Sequence, residues 1–175
     1  MSTVPEALAH RATLGLGGNL GDPARAIADA LQALDARDDC MVSAVSRLYR
    51  TPPWGKTDQA DFFNACAELH TVLTPAELIA LCLDIERHMK RVRDARWGPR
   101  TLDIDILTYD DLTLDSERLV IPHPRMLERG FVLMPLADFA GAMVVSGRPV
   151  SDWLQAADTT GIEIADGDPD WWRRA

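Results

Sequence analysis

The chain of 175 residues is poor in cysteine, in aromatic side chains and in long apolar stretches. Its three cysteines, Cys40, Cys66 and Cys82, stand far apart among apolar residues, which suits buried free thiols better than a disulfide framework or a zinc site. Every apolar stretch is much shorter than a membrane span, and residues 1–10 lack the basic start and hydrophobic middle of a secretion signal. These absences predict a cytoplasmic protein that does not bind a membrane.

Basic residues are also scarce. The chain has 18 lysines and arginines against 27 acids, a formal net charge of -9. Broad binding to nucleic acids or anionic membranes requires a basic surface, so the charge argues against both. The length and the 47% hydrophobic content suit one domain with a sizeable core, and no linker or repeat divides the chain.

The few basic residues are concentrated in one segment, residues 87–100, which holds six of them and one acid. Arginine forks match pairs of phosphate oxygens, so such a cluster in an acidic protein indicates a polyphosphate site. Gly98 and Pro99 cannot continue a helix, and the segment should therefore end in a loop that carries Arg100. The basic residues are Arg87, Lys90, Arg91, Arg93, Arg96 and Arg100, and the acid is Asp94.

Two aspartates follow this loop directly. Asp103 and Asp105 alternate with the apolar residues Leu102, Ile104 and Ile106, so on a strand both carboxylates leave the same face. Their Cβ atoms would then lie about 6–7 Å apart, close enough to hold one or two Mg²⁺ ions. The alternative is that the pair is the solvated face of an amphipathic strand. The adjacent arginines favour a site for a polyphosphate with metal.

The remaining pattern alternates strands and helices and predicts an α+β fold. Asp22 is a helix N-cap followed by Pro23, and the residues from Thr74 to Glu77 form a capping box at the start of another helix. We predict strands over residues 12–17, 41–49, 62–72 and 118–121 and around the two aspartates, and helices after Asp22, after Thr74, within residues 124–139 and over residues 150–157.

The polar loop of residues 50–61 and the strand start after it supply what a flat heterocycle requires. Aromatic faces stack on such a ring, and the amide of Asn64 offers both a donor and an acceptor to its edge. Alternation sends one of Phe62 and Phe63 into the core, and we assign Phe63 to the core and Phe62 to the pocket. The glycine-rich loop of residues 17–21 is explained by the steric needs of a strand-to-helix turn alone.

Four segments together carry a family resemblance: residues 96–105, 91–93, 49–53 and 129–131. In their sequence and order, over about residues 12–140, they resemble the 6-hydroxymethyl-7,8-dihydropterin pyrophosphokinases of folate biosynthesis. The resemblance implies a single α+β domain with a ferredoxin-like core, in which helices pack over a mixed or antiparallel sheet. We expect this domain over residues 12–160, with an N-terminal extension over residues 1–11 and a C-terminal tail over residues 161–175.

The resemblance also implies roles for individual residues. Asp103 and Asp105 would hold two Mg²⁺ ions, and they would act in catalysis together with Arg91 and Arg100. Glu86, taken alone, would either face water or bind a ribose, and the resemblance favours ATP. An isolated histidine such as His123 is usually structural, but this one matches a position that contacts the triphosphate. The implied ATP-binding residues are Glu86, Arg93, Arg96, Trp97, Ile106, His123 and Arg129, and the implied pterin-binding residues are Gly17, Thr51, Pro52, Trp54, Phe62, Asn64 and Phe131.

The implied reaction transfers the β,γ-diphosphate of ATP, the co-substrate, to 6-hydroxymethyl-7,8-dihydropterin and releases AMP. We expect a monomer. One rival function is another Mg²⁺-dependent phosphotransferase or phosphohydrolase that uses the same aspartates. The other is a nucleic-acid-binding module in which Trp97 stacks on a base. Residues 141–175 carry no functional signal, and Trp171 and Trp172 would either cover the core or contact a partner.

Overall fold

The computed structural model describes residues 5–53, 58–93 and 102–174, with the backbone alone for residues 91–93. Within these ranges the chain forms ten strands and four α-helices. The strands are β1 (His10–Gly18), β2 (Cys40–Val45), β3 (Leu48–Thr51), β4 (Phe62–Thr71), β5 (Asp103–Tyr109), β6 (Leu114–Asp115), β7 (Val120–Ile121), β8 (Val144–Val145), β9 (Arg148–Pro149) and β10 (Glu163–Asp166). The helices are α1 (Pro23–Asp35), α2 (Pro75–Arg93), α3 (Gly130–Ala140) and α4 (Val150–Ala156), and short 3-10 helices span Met126–Glu128 and Trp171–Arg173.

The main sheet has the strand order β10-β3-β4-β1-β5, and β2 pairs with β4 beside β3. All of its pairs are antiparallel. Two small hairpins, β6 with β7 and β8 with β9, lie outside it. The predicted ferredoxin-like α+β fold, with helices packed over an antiparallel sheet, is confirmed.

Helices cover both faces of the main sheet. On one face α1 and α2 bury their apolar stripes against β1 and β5. On the other face α3 and α4 pack on Cys66 and Leu107. The three cysteines are buried and free, as predicted. The buried stripe of α1 comprises Ala26, Ile27, Ala30, Leu31 and Leu34, and that of α2 comprises Leu78, Cys82, Ile85 and Met89.

Both predicted helix starts are present. The Asp22 carboxylate accepts a hydrogen bond from the amide of Arg25 (3.1 Å), with Pro23 as the first helical residue. Glu77 accepts from the Thr74 amide (2.9 Å), and the Thr74 hydroxyl accepts from the Glu77 amide (3.2 Å). Caps of this kind stabilise a helix by about 1 kcal/mol each, and they fix where α1 and α2 begin beneath the sheet.

The prediction of one continuous strand over residues 41–49 is wrong. The chain bends between β2 and β3, where the Ser46 amide donates to the Cys66 carbonyl and the Ser46 hydroxyl accepts from the Cys66 amide (both 2.9 Å). Arg47 then turns outward, and its amide and guanidinium donate to Asp138 of α3 (3.0 and 2.9 Å). The strand expected over residues 118–121 is shorter and spans only Val120–Ile121.

The segment that the sequence sets apart as a C-terminal tail contributes to the main sheet. Its strand β10 pairs with β3, and the indoles of Trp171 and Trp172 are buried in the core. Trp171 Nε1 donates to the Ser46 carbonyl (2.9 Å), and Gln32 donates to the Trp172 carbonyl (2.7 Å). Of the two alternatives for these tryptophans, the structure shows that they cover the core. The domain limits at residues 12 and 160 stay a prediction.

Across the described ranges, no helix combines the length and the apolar character needed to cross a membrane.

Candidate active site

Two glycines in the middle of the sheet form the floor of the site. Gly15 and Gly17 lie on the central strand β1, and each is flanked by one residue of β4 and one of β5. Because residues two apart on a strand share a face and glycine has no side chain, the space above β1 stays open between the flanking side chains. The flanking residues are Cys66 and Asp105 beside Gly15, and Asn64 and Asp103 beside Gly17.

A cavity of about 370 Å³ lies above this floor, beside the start of α3. Its wall includes the amide of Asn64, both aspartates, and side chains from the loop before β4 and from residues 129–132. The structure therefore brings together eight residues that the sequence assigns to the site from five separate segments. They are Gly17, Thr51, Phe62, Asn64, Asp103, Asp105, Arg129 and Phe131.

Gly17 is required by its neighbour Asn64. A Cβ atom added at Gly17 would overlap Oδ1 of the Asn64 side chain. The sequence explained this glycine by the steric needs of a turn, and the resemblance made it a pterin-binding residue; the structure shows that it makes room for the amide on the cavity wall. Phe62 lies on that wall, and Phe63 packs against the core.

The two aspartates line the cavity from β5, on the same face of the strand. Asp105 Oδ2 lies 4.0 Å from His123 Nε2. Burial lowers the pKa of His123, and Arg129 and Arg125 lower it further, while Asp105 acts in the opposite direction. The imidazole is therefore biased toward its neutral form beside the carboxylates.

The aspartate pair suits a metal that arrives with its substrate. Among the residues the structure describes, no group of three or more His, Cys, Asp or Glu side chains forms a metal cage. Mg²⁺ is commonly bound through one or two carboxylates together with substrate phosphates, with water completing the shell. Asp103 and Asp105 thus fit Mg²⁺ bound with a nucleotide better than a preformed structural metal site.

Glu86 has a contact that neither interpretation of the sequence anticipated. Its carboxylate accepts a hydrogen bond from the backbone amide of Ile104 (2.7 Å), the residue between the two aspartates. Strand β5 is at the edge of the sheet, so this amide would lack a strand partner on that side. Glu86 of α2 thereby fixes the aspartate strand from outside.

Two other predicted residues, Ile106 and Pro52, do not line the cavity. The Ile106 side chain, which the resemblance assigns to ATP binding, is buried in the core with 2% of its surface exposed, because it alternates with the aspartates and faces α2. Pro52 is exposed next to Thr51. The Arg129 guanidinium lines the cavity and lies 5.6 Å from the Phe131 ring centre. The remaining predicted residues lie outside the part of the chain that the structure describes. They are Trp54, Arg96, Trp97 and Arg100, together with the side chains of Arg91 and Arg93.

The cavity wall also contains residues that the sequence analysis missed. Cys66 follows Asn64 by two positions, so strand alternation alone was sufficient to place it on the same face. Burial raises the pKa of its thiol, which makes Cys66 an unreactive part of the floor. Gln59 and Val132 also line the cavity, and Gln59 accepts a hydrogen bond from Asn19 (3.3 Å).

The fold and the cavity define a class of protein: a small α+β domain with a cavity above an antiparallel sheet and two carboxylates on the wall of that cavity. The sequence profile of the 7,8-dihydro-6-hydroxymethylpterin-pyrophosphokinase (HPPK) family matches residues 13–141. The chain belongs to this family.

Relatives match over most of their length. The 2-amino-4-hydroxy-6-hydroxymethyldihydropteridine pyrophosphokinase of Methylorubrum extorquens is 49% identical over 153 residues, which are 87% of this chain and 97% of the relative. The enzyme of the same name from Pseudomonas aeruginosa is 43% identical over 159 residues, covering 90% of this chain and 98% of the relative.

The fold is also found in solved structures. The wild-type HPPK-DHPS of Plasmodium falciparum superposes with a TM-score of 0.66 at 15% sequence identity, over 84% of this chain. This chain spans 44% of that longer protein. At this identity the likeness concerns the fold alone.

Proposed function

We propose that this protein transfers the β,γ-diphosphate of ATP to the hydroxymethyl oxygen of 6-hydroxymethyl-7,8-dihydropterin, forming the dihydropterin diphosphate and AMP in tetrahydrofolate biosynthesis. The observation that carries the proposal is the cavity above Gly15 and Gly17, where Asn64 and Asp103 flank the same glycine. A heterocycle held by the amide would present its substituent to the carboxylates. Family membership and the names of the relatives support the same reaction.

The pterin is held, in this proposal, by residues of β3, β4 and α3. The Asn64 amide pairs with the aminopyrimidinone edge of the ring, and Phe62 and Phe131 contribute aromatic faces. Thr51 and Pro52 contribute backbone groups at the end of β3. The Thr51 hydroxyl is buried without a hydrogen-bond partner among the described residues, which supports a role for this strand end in binding a polar ligand. Gly17 preserves the room that Asn64 needs, and Trp54 of the loop belongs to the same group by resemblance.

The triphosphate lies, in this proposal, beside β5. Asp103 and Asp105 hold two Mg²⁺ ions, and Glu86 keeps their strand in place through the amide of Ile104. Bound Mg²⁺ neutralises phosphate charge and acidifies a coordinated hydroxyl. His123, whose Nε2 lies 4.0 Å from Asp105, and Arg129 of the cavity wall would donate to phosphate oxygens.

The remaining nucleotide contacts rest on the family resemblance alone. Arg91 and Arg100 stabilise charge on the leaving and transferred groups, while Arg93, Arg96 and Trp97 bind ATP. Phosphoryl transfer needs mainly alignment and charge neutralisation, so a dedicated general base is not part of the proposal. The Ile106 side chain is buried in the core. In this proposal, therefore, only the backbone of Ile106 contacts the adenine.

The test is a product assay with ATP, Mg²⁺ and 6-hydroxymethyl-7,8-dihydropterin, with the nucleotides separated by chromatography. We expect AMP and dihydropterin diphosphate in equal amounts, and AMP only when the pterin is present. Release of ADP or of phosphate would instead favour another Mg²⁺-dependent phosphotransferase or phosphohydrolase. A cytoplasmic location, a monomeric state and the lack of nucleic-acid binding belong to the same proposal.

A further inference from the structure

Residues 158–166, which we call the C-terminal strap, lie outside the segment matched by the family profile but next to the cavity. Within the strap, β10 pairs with β3 in antiparallel register, with Glu163 opposite Arg50 and Ile164 opposite Tyr49. The Arg50 guanidinium donates to the Glu163 carboxylate (2.7 Å). Strand β3 is therefore held between β10 on one side and β4, which carries Asn64, on the other.

The strap is fixed at both ends. Before it, α4 packs on α3, which begins next to the cavity. After it, the indoles of Trp171 and Trp172 are buried in the core and Arg174 donates to Asp166 (3.0 Å). A segment held in this way has little freedom to move away from the residues it touches.

One contact of the strap is with Pro52. Gly161 has a φ of +78°, and a Cβ atom added there would lie 2.8 Å from Cγ and 3.2 Å from Cδ of the proline ring. Such distances are too short for ordinary van der Waals contact, so the backbone of Gly161 packs directly on the ring. Pro52 follows Thr51, which lines the cavity.

The other contact is with the start of α3. A Cβ atom added at Gly130 would overlap the backbone carbonyl of Asp158, so here too two backbones are packed together. Gly130 stands between Arg129 and Phe131, and both of these line the cavity. The strap thus touches one residue beside each of two walls of the cavity.

A second cavity also places the strap next to the residues that line the first. This smaller cavity of about 160 Å³ is lined by Thr51, Arg129 and Phe131 on one side and by Asp158, Thr160 and Ile162 of the strap on the other. The three residues of the first group line both cavities. They form a thin partition with the proposed pterin site in front and the strap behind.

We propose that the C-terminal strap is a positioning element of the heterocycle site. By packing on Pro52 and Gly130 it sets the separation between the wall that contains Thr51 and the wall that contains Arg129 and Phe131. The width available to a flat ring is thereby fixed by residues that do not touch the ring. This role rests on the proposed function, since the ligand affected is the pterin.

Gly161→Ala tests this proposal, and Gly147→Ala is its matched control. Gly147 also has a positive φ (+81°), but a Cβ atom added there meets nothing within 4 Å. Both variants carry the same backbone penalty, so we expect both to melt a few degrees lower, about 2–4 °C for a chain of this size. Only Gly161→Ala presses on Pro52, and only this variant should raise the Kd for the pterin, by about tenfold. Its Kd for an ATP analogue with Mg²⁺, measured without pterin, should match that of the control.

A double variant identifies the contact. Replacing Pro52 by Ala removes the ring carbons that the new methyl group meets. Gly161→Ala should therefore weaken pterin binding much less in the Pro52→Ala background than in the wild type. An effect of Gly161→Ala that is the same in both backgrounds would contradict the contact as its cause.

Amide hydrogen exchange tests the positioning role of the strap without a bound ligand. We expect faster exchange at Thr51 and at Val132, whose amide donates to the Arg129 carbonyl (3.0 Å), in Gly161→Ala than in Gly147→Ala, both measured well below their melting temperatures. Equal exchange at these two amides overturns the strap as a positioning element, whether or not the pterin binds. A wild-type protein that neither binds the pterin nor releases AMP refutes the proposed function, and the exchange result still decides the role of the strap.

Discussion

Aspartates lie at or just beyond both ends of strand β5, and their surroundings differ between the two ends. Just beyond the far end, the Asp110 carboxylate accepts hydrogen bonds from the Arg11 amide (2.8 Å) and pairs with His10 Nδ1 (2.7 Å). At the near end, Asp103 and Asp105 line a cavity above two glycines. At the far end, therefore, the neighbours of the carboxylate join it to the start of β1, and at the near end they leave room for a ligand. The surroundings of an aspartate, more than its presence on a strand, distinguish a structural acid from a candidate metal ligand.

The largest expected contrast between the two ends is in turnover. Asp105→Asn keeps the shape of the side chain but removes the charge that would hold Mg²⁺, and we expect kcat to fall by about three orders of magnitude. Pterin binding, measured by calorimetry, should persist. Asp110→Asn is the control, because asparagine tolerates the positive φ of this position (46°) and still accepts from Arg11. Turnover that survives Asp105→Asn would remove the metal role of the near end.

The glycine floor should show the next largest effect. Gly17→Ala places a methyl group against Asn64 Oδ1 and must displace the amide from the wall. We expect the Kd for the pterin to rise about tenfold to a hundredfold, which corresponds to one or two lost hydrogen bonds.

Gly15→Ala is the comparison for this change, because its added Cβ would lie 3.5 Å from a flexible Leu107 methyl, an ordinary contact. It should weaken pterin binding far less than Gly17→Ala does. Equal losses in the two variants would mean that the cavity floor, and not Asn64, is what the alanine disturbs.

A smaller effect is expected at Glu86, which supports the near end from α2. Glu86→Ala leaves the Ile104 amide without this acceptor, and we expect a loss of about 1–3 kcal/mol in the free energy of unfolding together with about a tenfold loss in kcat. Glu86→Gln retains an acceptor oxygen and should recover most of both. The measurements are chemical denaturation and turnover over a Mg²⁺ titration. Full activity in Glu86→Ala would contradict a positioning role.

The smallest effect concerns the far end and is visible by pH titration. Burial acts to raise the pKa of Asp110, but the hydrogen bonds from the Arg11 amide and from His10 outweigh it, so this pKa lies below its ordinary value of 3.8. Stability from this carboxylate is therefore present above pH 3.8 and is lost as the pH falls below it. Carbon-13 NMR of the carboxyl groups, assigned with Asp110→Asn, should show the low midpoint. His10→Ala should move that midpoint upward, and an unchanged midpoint would exclude His10 as a cause.

Features that depend on neighbours in sequence could be predicted well. The caps at Asp22 and Thr74 need partners only three residues away, and the common face of Asp103 and Asp105 follows from strand alternation. Phe62 and Asn64 were assigned to a heterocycle pocket from the chemistry and alternation of the strand start, and Gly17 was added by resemblance; the structure brings these three residues to one cavity.

Features that depend on distant partners could not be predicted. The bend between β2 and β3 is fixed by Cys66, by Asp138 and by the indole of Trp171, which is 125 residues from Ser46 in sequence. Strand β10 is only four residues long and mostly exposed, so its periodicity carries no signal, and it forms because β3 offers an unpaired edge. Likewise, the acceptor role of Glu86 depends on an amide of another element.

Strand β10 has one more consequence, which concerns contacts between molecules. Without it, β3 would present a free row of amides and carbonyls at the rim of the main sheet, and such rims recruit strands from other chains. β10 covers this rim with a strand of four residues whose ends are the acids Glu163 and Asp166. Both acids are already paired, Glu163 with Arg50 and Asp166 with Arg174, so the shortness of this strand is what limits the backbone groups that a second copy could pair with. We therefore expect the strand that holds β3 in place also to limit self-association at this rim of the sheet.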